Sequence, residues 1–348
     1  MHLIRLVSVA ICFAWLSACP AGATLDPETD WQTTSIPTPT PAPFAHHGDV
    51  AYYNGNVIYA GNDGRIYAFD PTSTTADAAE LVYDSRSLTP TSKTVGGLFR
   101  DSDNYLYFHD SGETDYVYRV LLTDTWPIEN LQSLDTNGSG AIYGFVENPS
   151  TTAIYIMSRD YYGGGNLIYV YLITLFDTAP TLIGNFEKQH EDTDLGPSIF
   201  ADTDNLLVGE RPKTGSGSGY FHRIRISNEL TVDTVDYLTF SGGLADAVYG
   251  YSSAIYVSTG EGKSIIKLYG SISKGYELNP AATAGQTAQG LCFDGSLFYV
   301  TEMSTSGAIA FSSLKSVVPQ PSGKEDEGCF IQAVTPSLFI KLLNGFNN

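Results

Sequence analysis

Two groups of side chains in this sequence could do chemistry if the fold brought them together. Asp49, Glu210, Asp246 and Glu302 are hard oxygen donors of the kind that surround Ca²⁺. Arg159, Tyr161, Tyr162 and Arg211 offer two forked cations and two flat aromatic rings, side chains that anchor a protein partner or stack on a sugar. His46 and His47 add imidazole, a common metal ligand. Neighbours along a strand point to opposite faces, so only one of the two can face a ligand, and His47 is grouped with the binding residues. Plainer readings stand beside these. Loops are polar because they are solvated, no third His falls in a matching slot, and Arg159 and Arg211 could simply neutralise Asp160 and Glu210.

Other chemistry is excluded. The sequence holds no G-x-S-x-G elbow, no P-loop and no H-E-x-x-H pair. The net charge of −20 argues against a nucleic-acid partner, which needs a basic surface to displace counterions. Four cysteines without Cys-x-x-Cys spacing exclude a zinc ribbon and a thioredoxin-type site. Asp101-Ser102-Asp103-Asn104 and Asp202-Thr203-Asp204-Asn205 have the look of calcium loops, but they lack the Gly and distal Glu of an EF-hand and read as hairpin turns. Cys292 lies mid-strand and reads as a small core residue.

The elements that position these residues begin after an export signal. Arg5 gives residues 1–23 a thin basic start, and Leu6 to Leu16 is apolar but too short to span a bilayer. Leu16-Ser17-Ala18-Cys19 resembles a bacterial lipobox, which implies lipidation at Cys19 and, with Pro20 following, an outer-membrane or cell-surface destination. The alternative is cleavage after Ala21-Gly22-Ala23, giving a secreted or periplasmic chain. The membrane is expected as a partner only through a lipid anchor at Cys19. Residues 24–44 alternate Pro with Thr and Ala, a composition that suits either a stiff tether or a polar leader lying on the domain.

Residues 45–316 carry an internal repeat. Apolar-Tyr pairs recur at Ile58-Tyr59, Leu106-Tyr107, Ile154-Tyr155, Ile255-Tyr256 and Phe298-Tyr299, with Leu207-Val208 in the remaining slot, about 48 residues apart on average. An apolar segment precedes each pair, with turn residues such as Asn54-Gly55 and Asp294-Gly295 between the two. A third strand follows each pair, and several fourth strands are readable. Four short antiparallel strands per repeat predict an all-β fold, a six-bladed β-propeller of four-stranded antiparallel blades. Trp31 to Ile36 is expected to supply the outer strand of the sixth blade.

In layout the units resemble the NHL and YncE-like propellers, and Tyr67-Ala68-Phe69-Asp70-Pro71 is similar to their strand-to-turn step. The plan is also similar to that of six-bladed lactonases, which implies the alternative of a metal-dependent, Ca-type hydrolase with Asp49, Glu210, Asp246 and Glu302 at the channel mouth. The favoured expectation is a non-catalytic binding or scaffolding protein for a surface protein or glycan, without a cofactor. Residues 317–348 form a linker and tail in which Gly328-Cys329-Phe330-Ile331 resembles the CFI-box of exported bacterial proteins.

Overall fold

The computed structural model describes residues 31–43, 49–75, 78–88, 95–110, 116–136, 141–159, 167–188, 193–200, 203–212, 219–226, 230–240, 244–251, 254–259, 264–269, 272–277, 287–303 and 309–316. The signal, Cys19, the run from Phe44 to Gly48 with His47, the Tyr161–Tyr162 loop, Asp202 and the C-terminal tail lie outside the described residues.

Short apolar runs recur through the repeats, and the described chain forms strands with one 3-10 turn at Ser85–Ser87. The strands hydrogen-bond in four-stranded antiparallel sheets, in sequence order from the first strand outward in all but the last. One sheet holds β2 (Val50–Tyr53), β3 (Asn56–Ala60), β4 (Ile66–Phe69) and β5 (Glu80–Tyr83). The next holds β6 (Val95–Arg100), β7 (Tyr105–Asp110), β8 (Tyr116–Leu121) and β9 (Leu131–Asp135). A third holds β10 (Ala141–Glu147), β11 (Ile154–Arg159), β12 (Leu167–Ile173) and β13 (Thr181–Glu187). Then come β14 (Thr193–Phe200), β15 (Asn205–Pro212), β16 (Gly219–Ile226) and β17 (Leu230–Phe240). They are followed by β18 (Leu244–Tyr251), β19 (Ala254–Thr259), β20 (Ser264–Tyr269) and β21 (Ile272–Glu277). The last sheet combines β22 (Thr287–Phe293), β23 (Leu297–Met303) and β24 (Ile309–Ser316) with β1 (Trp31–Ile36).

The first strands lie side by side in sequence, β2 against β6, β6 against β10 and so on, and β22 lies against β2. The architecture is an all-β propeller. Its core consists of seams between sheets. Ile58, Ile66 and Val82 meet Leu106, Phe108 and Val120 across one seam, and Tyr107 and Val117 meet Phe145 and Ile156 across the next. Both faces of a sheet are therefore buried, which is why strands such as Ile66–Phe69 are apolar at every position.

The ends of the sheets differ. At the lower end, defined by the hairpins that join first to second strands, Asn54 and Gly55 have φ of +44° and +85°, the left-handed pair of a type I′ turn. Asp101 Oδ1 accepts the amides of Asp103 and Tyr105 at 2.9 and 2.8 Å, so this segment is a turn, as its sequence suggests. Lower-end side chains also cross to the next sheet: Asn54 Nδ2 donates to Asp124 at 2.9 Å, the Ser102 amide to Glu147 at 2.9 Å, and Asn148 Nδ2 to the Thr203 carbonyl at 2.8 Å.

Part of the Pro-rich leader belongs to the body. β1 pairs with β24 from Trp31–Ser316 to Ile36–Phe311, the outer-strand role its sequence position suggests. Beyond it Thr40 and Pro43 bridge to Ala78 and Gly61, and the Tyr59 hydroxyl donates to the Pro41 carbonyl at 2.7 Å. Residues 31–43 thus lie on the domain and do not act as a free spacer.

Candidate functional site

The upper end carries an irregularity that the repeat does not announce. Register breaks near the top of the first strand in β6, β10, β14, β18 and β22. Across each break the first strand has more residues than its partner. Gly97 and Leu98 stand against Phe108, and Tyr143 against none. Gly196 and Pro197 stand against Gly209, Asp246 and its two neighbours against Ser258, and Gln289 against none. Extra residues of this kind make a β-bulge, which bends the strand and re-aims a side chain. The bulges sit at one height on the strands nearest the axis and form an irregular collar there.

Gly97 shows the local logic. Its φ of +66° favours glycine, and a Cβ there would lie 2.6 Å from the His109 ring. Its amide, turned out of the ladder, donates to Asp49 Oδ2 at 2.9 Å. One of the four proposed metal-binding acids therefore ties two sheets together through a bulge.

Glu210 also departs from its expected place at an open mouth. It is 0% exposed, and its Oε1 is bound to Nε2 of His222, itself 3% exposed. Val208 pairs with His222 and Glu210 with Tyr220, so acid and imidazole are diagonal neighbours on one face of the sheet. The Phe186 ring covers His222 at 5.0 Å. Glu302 pairs with Ala288, as Glu210 does with Leu195, immediately above the bulge in each sheet, and Asp246 lies within a bulge. Among the described residues no three His, Cys, Asp or Glu side chains are grouped to hold a metal ion.

Arg159 and Arg211 occupy equivalent positions. Arg159 pairs with Ala141 and Arg211 with Asp194, each one residue above the bulge-flanking pair on the second strand of successive sheets. Arg159 is half-buried. The upper end of the first sheet is balanced differently: Arg65 contacts Asp63 and Asp84 at 3.0 and 3.3 Å, and Arg86 contacts Asp84 at 2.6 Å. The Arg86 guanidinium, outweighing partial burial, holds the Asp84 carboxyl down at about 2. Cys292 is buried, and burial pushes its thiol well above the ordinary range, so it is inert.

Sequence reasoning missed the collar, the Glu210–His222 pair and a cation sandwich. In the last, the Arg119 guanidinium lies 4.1 Å over Tyr105 and 4.2 Å over Phe176 of the next sheet, and donates to the Tyr107 hydroxyl at 3.1 Å. A small residue ahead of each first-strand apolar segment (Gly97, Gly144, Gly196, Ala247, Gly290) was the available sign of the bulges.

The fold and the collar define a propeller with an irregular upper end, and comparison with solved structures finds similar chains. YCF48 bound to D1 peptide is similar at 11% identity over 86% of this chain and 98% of that one, with a TM-score of 0.50. The β-propeller domain of Myceliophteria thermophila Cps50 (Swd1) matches at 13% identity over 82% and 100%, with a TM-score of 0.46. A structure of a nidogen/laminin complex matches at 14% over 72% and 89%, with a TM-score of 0.48. No family model and no curated protein matches the sequence.

Proposed function

We propose that the chain is an exported, lipid-anchored β-propeller of six blades, NHL- or YncE-like in layout, that binds a protein or glycan partner without catalysis. Support for six blades comes from the six four-stranded sheets among the described residues and from the return of β22 to β2. Export rests on the leader and anchoring on the Leu16-Ser17-Ala18-Cys19 string. The destination is the outer membrane or the cell surface.

The observation that carries the binding role is the collar of bulges at one end, with Arg159 and Arg211 at equivalent places beside it. Bulges are over-represented next to functional sites because they turn backbone and side chains away from a regular ladder. The partner is acidic or glycan-bearing, and Arg159, Arg211, Tyr161 and Tyr162 supply cations and flat apolar surface. Two double variants test this, Arg159→Ala with Arg211→Ala and Tyr161→Ala with Tyr162→Ala. Each is expected to lose capture of a discrete envelope component while keeping its melting temperature. Protease or glycosidase treatment of the envelope fraction separates protein from glycan. Capture that survives both variants overturns the reading.

A further inference from the structure

The register of the last sheet fixes where the chain enters and leaves the body. β1 starts at Trp31, whose partner is Ser316, the last residue of β24. Lys315 pairs with Leu297, which follows the hairpin turn at Asp294, so the Trp31–Ser316 pair lies at the lower end. Asp49, Arg159, Arg211, Asp246 and Glu302 all lie at the other end.

We infer that the propeller is mounted with its lower end toward the membrane and its collar turned away, toward a partner on the side opposite the bilayer. This rests on the acylation of Cys19 in the reading above. The twelve residues from Cys19 to Trp31 reach at most about 40 Å when fully extended. β1 itself is about 20 Å long. Bringing the collar to the bilayer would use about half of that reach merely to climb the side of the body.

Charge sets the stand-off. Exposed acids outnumber exposed cations at the lower end: Asp70, Asp103, Asp124, Asp177 and Asp204 lie in its turns and connections, against Arg100 and Arg225. Anionic headgroups repel such a surface, so the tether holds this end near the bilayer without docking it.

The test uses the full acylated protein, reconstituted in phosphatidylcholine vesicles that carry a headgroup-nitroxide lipid. A fluorescent amino acid is placed at Thr151, exposed at the lower end, or at Asn62, exposed at the upper end. Loss of emission at position 151 with little loss at position 62 is expected. Equal or reversed quenching in protein whose mass shows the acyl chains overturns the orientation alone. A mass without acyl chains overturns the anchor and the orientation with it.

Discussion

Asp49 Oδ2 accepts the amide of Gly97 at 2.9 Å, joining two residues 48 positions apart, about one repeat of the sequence. The contact links the residue ahead of one first strand to the bulge of the next, so the collar is tied across a seam. Gly97→Ala is expected to destabilise by about 1–3 kcal/mol, through the left-handed backbone and the collision with His109. Asp49→Asn keeps an acceptor and should cost little, whereas Asp49→Ala should cost about 1–3 kcal/mol. Denaturant unfolding of the three variants checks the order, and an equal loss for Asn and Ala would assign the contact no role.

A second expectation concerns Asp101. Burial raises its carboxyl above the ordinary range against the pull of the turn amides, so its charge is held at a cost. Asp101→Asn retains the acceptor without the buried charge and is expected to match or exceed the parent in stability at neutral pH. Asp101→Ala orphans the amides of Asp103 and Tyr105 and should lose about 1–3 kcal/mol. Thermal melts at pH 7 distinguish the two.

The Glu210–His222 pair is held entirely inside the seam under Phe186. Glu210→Ala strands a buried imidazole and is expected to cost about 3–5 kcal/mol. The double change Glu210→Leu with His222→Phe removes both polar groups and should cost clearly less. Urea midpoints of parent, single and double variants form the check. A double variant as destabilised as Glu210→Ala, or more so, would contradict it.

At the upper end of the first sheet the sign of the pH effect is fixed. Asp84 titrates near 2 in the folded protein and near 3.8 when unfolded, so its contribution is present above the unfolded value and is lost as pH falls through the folded one. The stability difference between parent and Asp84→Asn should be flat above about pH 5 and vanish by about pH 1. It should be small, because Asp84 and Arg86 are half in water. Melting curves across that range measure it.

Much of the architecture was legible because the recurring apolar-Tyr pairs and turns such as Asn54-Gly55 are local signals. The Trp31–Ile36 strand was found because the last repeat lacked an outer strand. The collar was not legible: an extra residue such as Tyr143 or Gln289 exists only relative to the partner's register, and no local pattern states register. Glu210 was placed at an open mouth because its loop position was visible and its diagonal partner His222 was not. The Arg119 sandwich draws on two strands and the neighbouring sheet, beyond any sequence window.

The central claim is that the collar end meets the partner. Its most direct test is photo-crosslinking in native membranes, from a photoreactive residue at Tyr162, three residues after β11 in the sequence, and from another at Thr151 in the lower hairpin. Crosslinking to one discrete partner from position 162, with none from position 151, is the expected result. A partner captured from position 151 alone would contradict the account.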